Sequence, residues 1–87
     1  MTQPEHHPGR PHWHCTTCGD RWPCASARRR MLAMADANGN HAALRLYLLA
    51  TQAEAESDFE ALGTLKEQGD LHDRFVAWAT PPTAPRG

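Results

Sequence analysis

The stretch that decides the fold is residues 12–24, His-Trp-His-Cys-Thr-Thr-Cys-Gly-Asp-Arg-Trp-Pro-Cys. It holds all three cysteines of the chain, two of its three tryptophans and two of its six histidines. Cysteine thiolates and histidine nitrogens are the usual ligands of structural metal sites in small domains. The clustering therefore predicts that a bound metal ion organises this end of the protein.

The spacing within this stretch is typical of a metal-binding knuckle. Cys15 and Cys18 stand three positions apart, so that both thiolates reach one ion from a tight turn, and Gly19 relieves strain where the backbone folds around it. Cys24 stands at the start of a predicted helix, where the helix dipole favours thiolate over thiol. The predicted metal ligands are therefore Cys15, Cys18 and Cys24.

Three thiolates leave a tetrahedral site one ligand short, and a histidine would complete it. His12 and His14 are the preferred candidates because they stand close to Cys15 in the sequence. The other candidates are more distant or weaker as ligands: His41, His72 and Asp20. His6 and His7 belong to a proline-rich lead-in and are interpreted as ordinary polar residues.

Zinc is the expected ion, because Cys3His sites are a standard structural class. An iron–sulfur cluster is the alternative, and it would make the protein a redox sensor, but histidine or aspartate would have to complete its ligation. A catalytic zinc is disfavoured because three thiolates neutralise the ion and make it a poor Lewis acid, and because no His-Glu-x-x-His or His-x-Glu element is present. The sequence therefore predicts a structural site and no enzyme.

Length and composition set further bounds. A chain of 87 residues forms one domain at most. At this size only about 60% of the surface of the unfolded chain is buried on folding, so a bound metal would add needed stability. No signal peptide opens the sequence and no apolar run approaches the ~20 residues of a membrane span. We expect a cytoplasmic protein with reduced thiols and no membrane contact.

Apolar periodicity predicts a mainly α fold, in which an N-terminal zinc knuckle is followed by a three-helix bundle-like domain. The first helix, over about 25–37, ends at the Asn-Gly-Asn turn of residues 38–40. The second, over 41–62, is the spine of the domain, and Leu46 and Leu49 widen its apolar face near the start. That width predicts that the first half of this helix lies between other elements.

A third helix of about ten residues is predicted after Asp70, which is its expected N-cap. No segment alternates with a period of two, so we expect no substantial sheet. The predicted domain spans 12–79, and flexible tails are expected at 1–11 and 80–87.

The order Arg10-Pro11-x-Trp13-x-Cys15-x2-Cys18-Gly19-x2-Trp22-Pro23-Cys24, with a closing Arg74-Phe75-x-x-Trp78, resembles a group of small actinobacterial proteins of unknown function. Their shared pattern is Trp-x-Cys-x2-Cys-Gly-x2-Trp-Pro-Cys, and the resemblance covers about positions 10–79. Some members carry a flavin-reductase label, yet this chain has no phosphate-cradling glycine loop and is too short to enclose a flavin ring. The resemblance implies a recurring small metal-binding module, and it slightly favours His12 over His14, because the latter position is often acidic in similar sequences.

The spacing Cys-x2-Cys-x5-Cys is also similar to that of the WhiB-like iron–sulfur regulators of actinobacteria. Those proteins have a fourth cysteine well before the pair, a Gly-x-Trp-Gly-Gly turn after it and a basic DNA-contacting tail. This sequence has none of the three. Zinc therefore remains the expected ion.

The expected function is that of a small interaction or regulatory module that binds another protein. The alternative is a nucleic-acid-binding transcriptional regulator that uses an arginine-rich first helix. The net charge of −1 argues against strong nonspecific nucleic-acid binding. No small-molecule substrate is expected. The candidate nucleic-acid-binding residues are Arg21, Arg28, Arg29, Arg30 and Arg45.

Overall fold

The computed structural model describes residues 5–79. The expected tail at 80–87, and the first four residues of the expected tail at 1–11, lie outside this range. The described chain is mainly helical, as predicted. Its elements in order are β1 (Pro8–Gly9), β2 (His14–Cys15), α1 (Ala25–Asn38), α2 (His41–Leu62), a 3-10 turn (Leu65–Gln68), α3 (Leu71–Phe75) and a second 3-10 turn (Ala77–Ala79).

The first two helices match their predicted extents, and glycines end both. Gly39 has a φ of 62°, in the left-handed region. This conformation lets the N–H groups of Gly39 and Asn40 reach back to the carbonyls of Asp36 and Ala35, at 3.4 and 3.0 Å. Gly63 closes α2 in the same left-handed conformation. Glycine is favoured here because side chains destabilise a positive φ.

Helix α2 is the spine of the core, as predicted. Its inner face buries Leu48, Thr51, Ala55 and Phe59 along successive turns. The Thr51 hydroxyl donates to the carbonyl of Tyr47 at 2.9 Å, so that this buried polar group is satisfied within the helix. The apolar side chains of this face join one cluster with residues of the cysteine-rich motif, of α3 and of the position that follows it: Trp13, Cys15, Trp22, Cys24, Leu71, Phe75 and Val76.

The opposite face of α2 differs from expectation. The predicted sandwich around the first half of the helix is not found within residues 5–79, because Leu46 is 69% exposed and Leu49 is 37% exposed. The core forms on the inner face of the helix, and Leu46 and Leu49, which widen the apolar stripe, face outward.

The third helix is half as long as predicted. Asp70 is its N-cap, as expected, and the Asp70 carboxylate accepts from the backbone N–H of Asp73 at 3.1 Å. The helix ends after Phe75, whose carbonyl accepts from the Trp78 indole N–H at 2.9 Å. The chain then tightens into a 3-10 turn. The three helices thus differ widely in length, and α3 is a short connector.

Residues 5–9 pack on the cysteine-rich motif, so that the folded unit begins before His12. Strand β1 pairs with β2 in antiparallel register, with Pro8 opposite Cys15. The pairing is extended by the Thr16 N–H, which donates to the His7 carbonyl at 2.8 Å. A side chain at Gly9 would bring its Cβ within 3.0 Å of the His14 carbonyl oxygen. Glycine therefore permits the close approach of the two strands.

None of the helices in the described range combines the length and the apolarity that a membrane crossing requires.

The buried inner face of α2 predicts a large effect of truncation at Phe59. Phe59→Ala is expected to lower the free energy of unfolding by about 3–5 kcal/mol, because it removes a side chain that is only 1% exposed and leaves a cavity. Met34→Ala is the control, since Met34 is 57% exposed, and its effect should stay within about 0.5 kcal/mol. Urea denaturation followed by circular dichroism measures both values. Equal losses for the two variants would contradict this account of the core.

Candidate metal centre

The turn between Cys15 and Cys18 has the local geometry of a metal knuckle. The Gly19 N–H donates to the Cys15 carbonyl at 2.9 Å, and the Cys15 N–H donates to the Asp20 carbonyl at 2.7 Å. Gly19 has a φ of 78°, and nothing lies within 4 Å of the place where a Cβ would stand. Glycine is needed at this position for its backbone conformation rather than for space.

Four side chains converge at this turn. They are those of His6, Cys15, Cys18 and Cys24, and one nitrogen and three sulfurs all lie within 4.8 Å of one another. His6 Nδ1 is 3.1 Å from the Sγ of Cys15 and 3.3 Å from the Sγ of Cys24. In a tetrahedral zinc site with Zn–S of about 2.3 Å and Zn–N of about 2.0 Å, the ligand atoms stand roughly 3.5–3.8 Å apart. The cluster therefore has the composition and nearly the dimensions of a Cys3His site.

The histidine of the cluster is His6, whereas the sequence favoured His12 or His14. His14 is exposed while its neighbour Cys15 is buried, because successive side chains of a strand point to opposite faces. His12 is exposed in the turn before β2. His6 reaches the thiols because β1 folds back along β2, a pairing of two residues on each side. So short a pairing has no periodic pattern from which it could be predicted.

The remaining candidates also lie outside the cluster. His41 Nε2 is 2.8 Å from the carboxylate of Asp36, at the junction of α1 and α2. His72 is exposed on α3. Asp20 is exposed as well, and its backbone carbonyl accepts the Cys15 N–H.

The thiols of the cluster differ in their affinity for protons. Burial alone would raise the pKa of Cys15, but hydrogen bonds to its Sγ from the Cys18 and Thr17 backbones and from His6 and Cys18 lower that pKa to about 6. The Asp20 backbone lowers the pKa of Cys18, yet desolvation and the neighbouring sulfurs of Cys15 and Cys24 raise it to about 11 overall. Without a cation, the crowded thiols therefore cannot all ionise near neutral pH.

Trp13 fastens the motif to α2. Its indole N–H donates to Asp58 Oδ2 at 2.8 Å, and Arg10 Nε lies 2.9 Å from the same carboxylate oxygen. The hydrogen bond from Arg10 holds the pKa of Asp58 below its usual value, with Trp13 and the charge of Arg10 as further causes. The Trp13 ring also meets the Phe75 ring edge to face, at 5.7 Å between centroids. Through Phe75, α3 therefore packs directly against the cysteine-rich motif.

Arg74 joins α3 to the cysteine-rich motif through buried hydrogen bonds. It is 8% exposed, and its guanidinium donates to the carbonyls of Trp22 and Trp13 at 2.8 and 2.6 Å. A third donor reaches Gln68 Oε1 at 3.1 Å. Burial, and then the charges of Arg21 and Arg28, lower the pKa of Arg74 to about 10, so that it stays protonated at neutral pH. The buried charge is thus compensated by carbonyl dipoles.

The arginines proposed for nucleic-acid binding lie on three parts of the chain. Arg21 donates to the Gln68 carbonyl, and Arg28 donates to the Pro23 carbonyl while it lies over the Trp78 ring. Arg30 faces Glu5 at 3.5 Å. Arg29 is exposed on α1, and Arg45 is exposed on α2. Arg29 also donates to the Ser26 hydroxyl at 3.5 Å, so that four of the five make contacts within the described residues.

A scan against protein-family models gives no match to this chain, and no curated protein or solved structure is significantly similar to it.

The shifted pKa values of Cys15 and Cys18 predict that zinc binding releases protons, and that their number depends on pH. Coordination requires thiolates, and Cys18, with a pKa of about 11, must lose its proton when zinc binds at neutral pH. Zinc affinity should therefore rise with pH through the neutral range, and it should fall more steeply below the Cys15 pKa of about 6, where Cys15 must lose a proton as well. Calorimetric titration in buffers of different ionisation enthalpy counts the protons released. Proton release at neutral pH that is unchanged in Cys18→Ser would contradict the assignment.

The three donors of Arg74 predict that lysine cannot replace it. Arg74→Lys should lower the free energy of unfolding of the zinc-loaded protein by about 2–3 kcal/mol, because one ammonium cannot satisfy carbonyls that a planar guanidinium reaches together. Arg29→Lys on the exposed side of α1 is the matched control, with an expected change within about 0.5 kcal/mol. Urea denaturation of both variants tests this. An Arg74→Lys variant as stable as the control would show that these hydrogen bonds contribute little.

Proposed function

We propose that this chain is a small interaction module whose fold is stabilised by one zinc ion, bound by His6, Cys15, Cys18 and Cys24. The observation that supports the proposal is the convergence of one imidazole nitrogen and three thiols within 4.8 Å. The zinc has no catalytic role. The module presents its helical surface to a protein partner, in a compartment where thiols stay reduced.

The donor set favours zinc in a structural role. Zinc takes four ligands of mixed sulfur and nitrogen in tetrahedral geometry, and it has no redox chemistry of its own. With four protein ligands it keeps no open position for water, and three thiolates cancel its charge. A cubane iron–sulfur cluster is normally held by four cysteines, and this chain has three.

The position of the cluster explains why metal binding would stabilise the fold. Cys15 and Cys24 are each 3% exposed, and they belong to the same buried cluster as Phe59 and Phe75. A metal that holds these two cysteines together also holds the motif against α2 and α3. Because the ligands are assembled only in the folded chain, the free energy of metal binding adds to the free energy of folding.

The assignment is tested by elemental analysis of the purified protein together with its visible spectrum. One zinc per chain and no colour are expected. Iron with sulfide and a brown colour would replace zinc by an iron–sulfur cluster and favour a redox sensor.

The choice of His6 is tested by a matched pair of variants. His6→Ala is expected to weaken zinc binding by at least about tenfold, because it removes one of four ligands. His14→Ala should leave the affinity unchanged, since His14 lies on the exposed face of β2. Competition with a chromophoric chelator measures both affinities, and the cobalt-substituted protein reports the ligand set by its absorption. A larger loss for His14→Ala than for His6→Ala would overturn the assignment.

A further inference from the structure

The outward face of α2 is apolar over its first half and has no cover within the described chain. Between Ala42 and Ala53 the helix carries a single charged residue, Arg45. The inner face of this segment enters the core, while Leu46 and Leu49 on the outer side are 69% and 37% exposed. A helix that is apolar all round is normally buried all round. This face is the strongest indication in the structure of a surface that another molecule covers.

We propose that a second copy of this chain covers the face, with the two α2 helices packed antiparallel about a twofold axis. The exposed stripe has its bulky residues early, at Leu46 and Leu49, and its small residues later, at Ala50, Ala53 and Ser57. An antiparallel pair sets the bulky half of one helix against the small half of the other, twice by symmetry. A parallel pair would instead set leucine against leucine and leave a gap along the small residues.

The charges beside the stripe fit the same arrangement. Glu56 follows Arg45 by about three helical turns, so that both lie on one flank of the stripe. Their midpoint falls between Ala50 and Thr51, close to the centre of the stripe, and an antiparallel partner therefore brings its Glu56 to Arg45 and its Arg45 to Glu56. Within residues 5–79 no carboxylate pairs with Arg45. Glu56 accepts one hydrogen bond from Gln52 at 3.0 Å, through one of its two oxygens.

The surface involved is one helix from each copy, at the small end of the range for specific interfaces. The dimer should therefore be weak and should depend on protein concentration. The stripe faces away from the buried side that packs on the cysteine-rich motif. The proposal does not rest on the identity of the metal, and the metal content of each sample is measured separately.

The first test is sedimentation equilibrium of the full chain over a wide range of concentrations. A reversible monomer–dimer equilibrium is expected for the unaltered protein. Leu46→Glu should raise the dissociation constant on the order of a hundredfold, since two symmetry-related leucines are lost from the interface. Met34→Glu, at an exposed apolar residue of α1, should leave the constant unchanged. Circular dichroism and metal content of each variant establish that it is folded.

The second test is charge reversal across the twofold axis. Arg45→Glu and Glu56→Arg should each weaken the dimer about tenfold, because each places like charges together at two symmetric positions. The double variant should restore the affinity of the unaltered protein, and added salt should reduce all three effects. A protein that stays monomeric throughout would overturn the proposal and leave the face to a different protein. A dimer that persists in Leu46→Glu, or a double variant without rescue, would overturn the antiparallel arrangement.

Discussion

Three cysteine thiols and one imidazole nitrogen share a space less than 5 Å across, and the rest of the structure depends on how that crowding is resolved. Hydrogen bonds lower the pKa of Cys15 to about 6, whereas desolvation and the neighbouring sulfurs raise the pKa of Cys18 to about 11. A bound cation is the ordinary way to hold three thiolates together. Because two of these cysteines are buried in the core, the same contact that would hold the ion also holds the motif on the helices.

The backbone and side chain of Trp13 also hold the motif on the helices. Its φ of 61° lies in the left-handed region, which is strained for a bulky residue. The strain is offset because the Trp13 N–H donates to Gly9, its carbonyl accepts from Arg74 and from Trp22, and its indole reaches Asp58. The motif, α2 and α3 thus meet at Trp13. Because the contacts of Trp13 with Asp58 and Arg74 join parts of the chain that are far apart in the sequence, they hold this small core together.

Much of the helical structure could be predicted, because its causes are local. The extents of α1 and α2 followed from apolar spacing and from glycines at their ends, and Asp70 was recognised as a cap. The length of α3 could not be predicted, because the helix ends where the Trp78 indole N–H donates to the Phe75 carbonyl, a contact that helical periodicity does not indicate. The sequence also left open whether Leu46 lies in the core or on the surface, since an apolar stripe predicts burial without saying which molecule provides the cover.

The sequence by itself determined the three cysteines as one set, the glycine turn between them and the two long helices, because residue spacing along a turn or a helix translates directly into position in space. Only the tertiary structure decided which histidine joins the cysteines. His6 arrives through a two-residue strand pairing, and His14 is turned away by the alternation of side chains along β2. The pairing of β1 with β2 brings together residues that are not neighbours in the sequence, and such a pairing is decided by the packing of the whole fold.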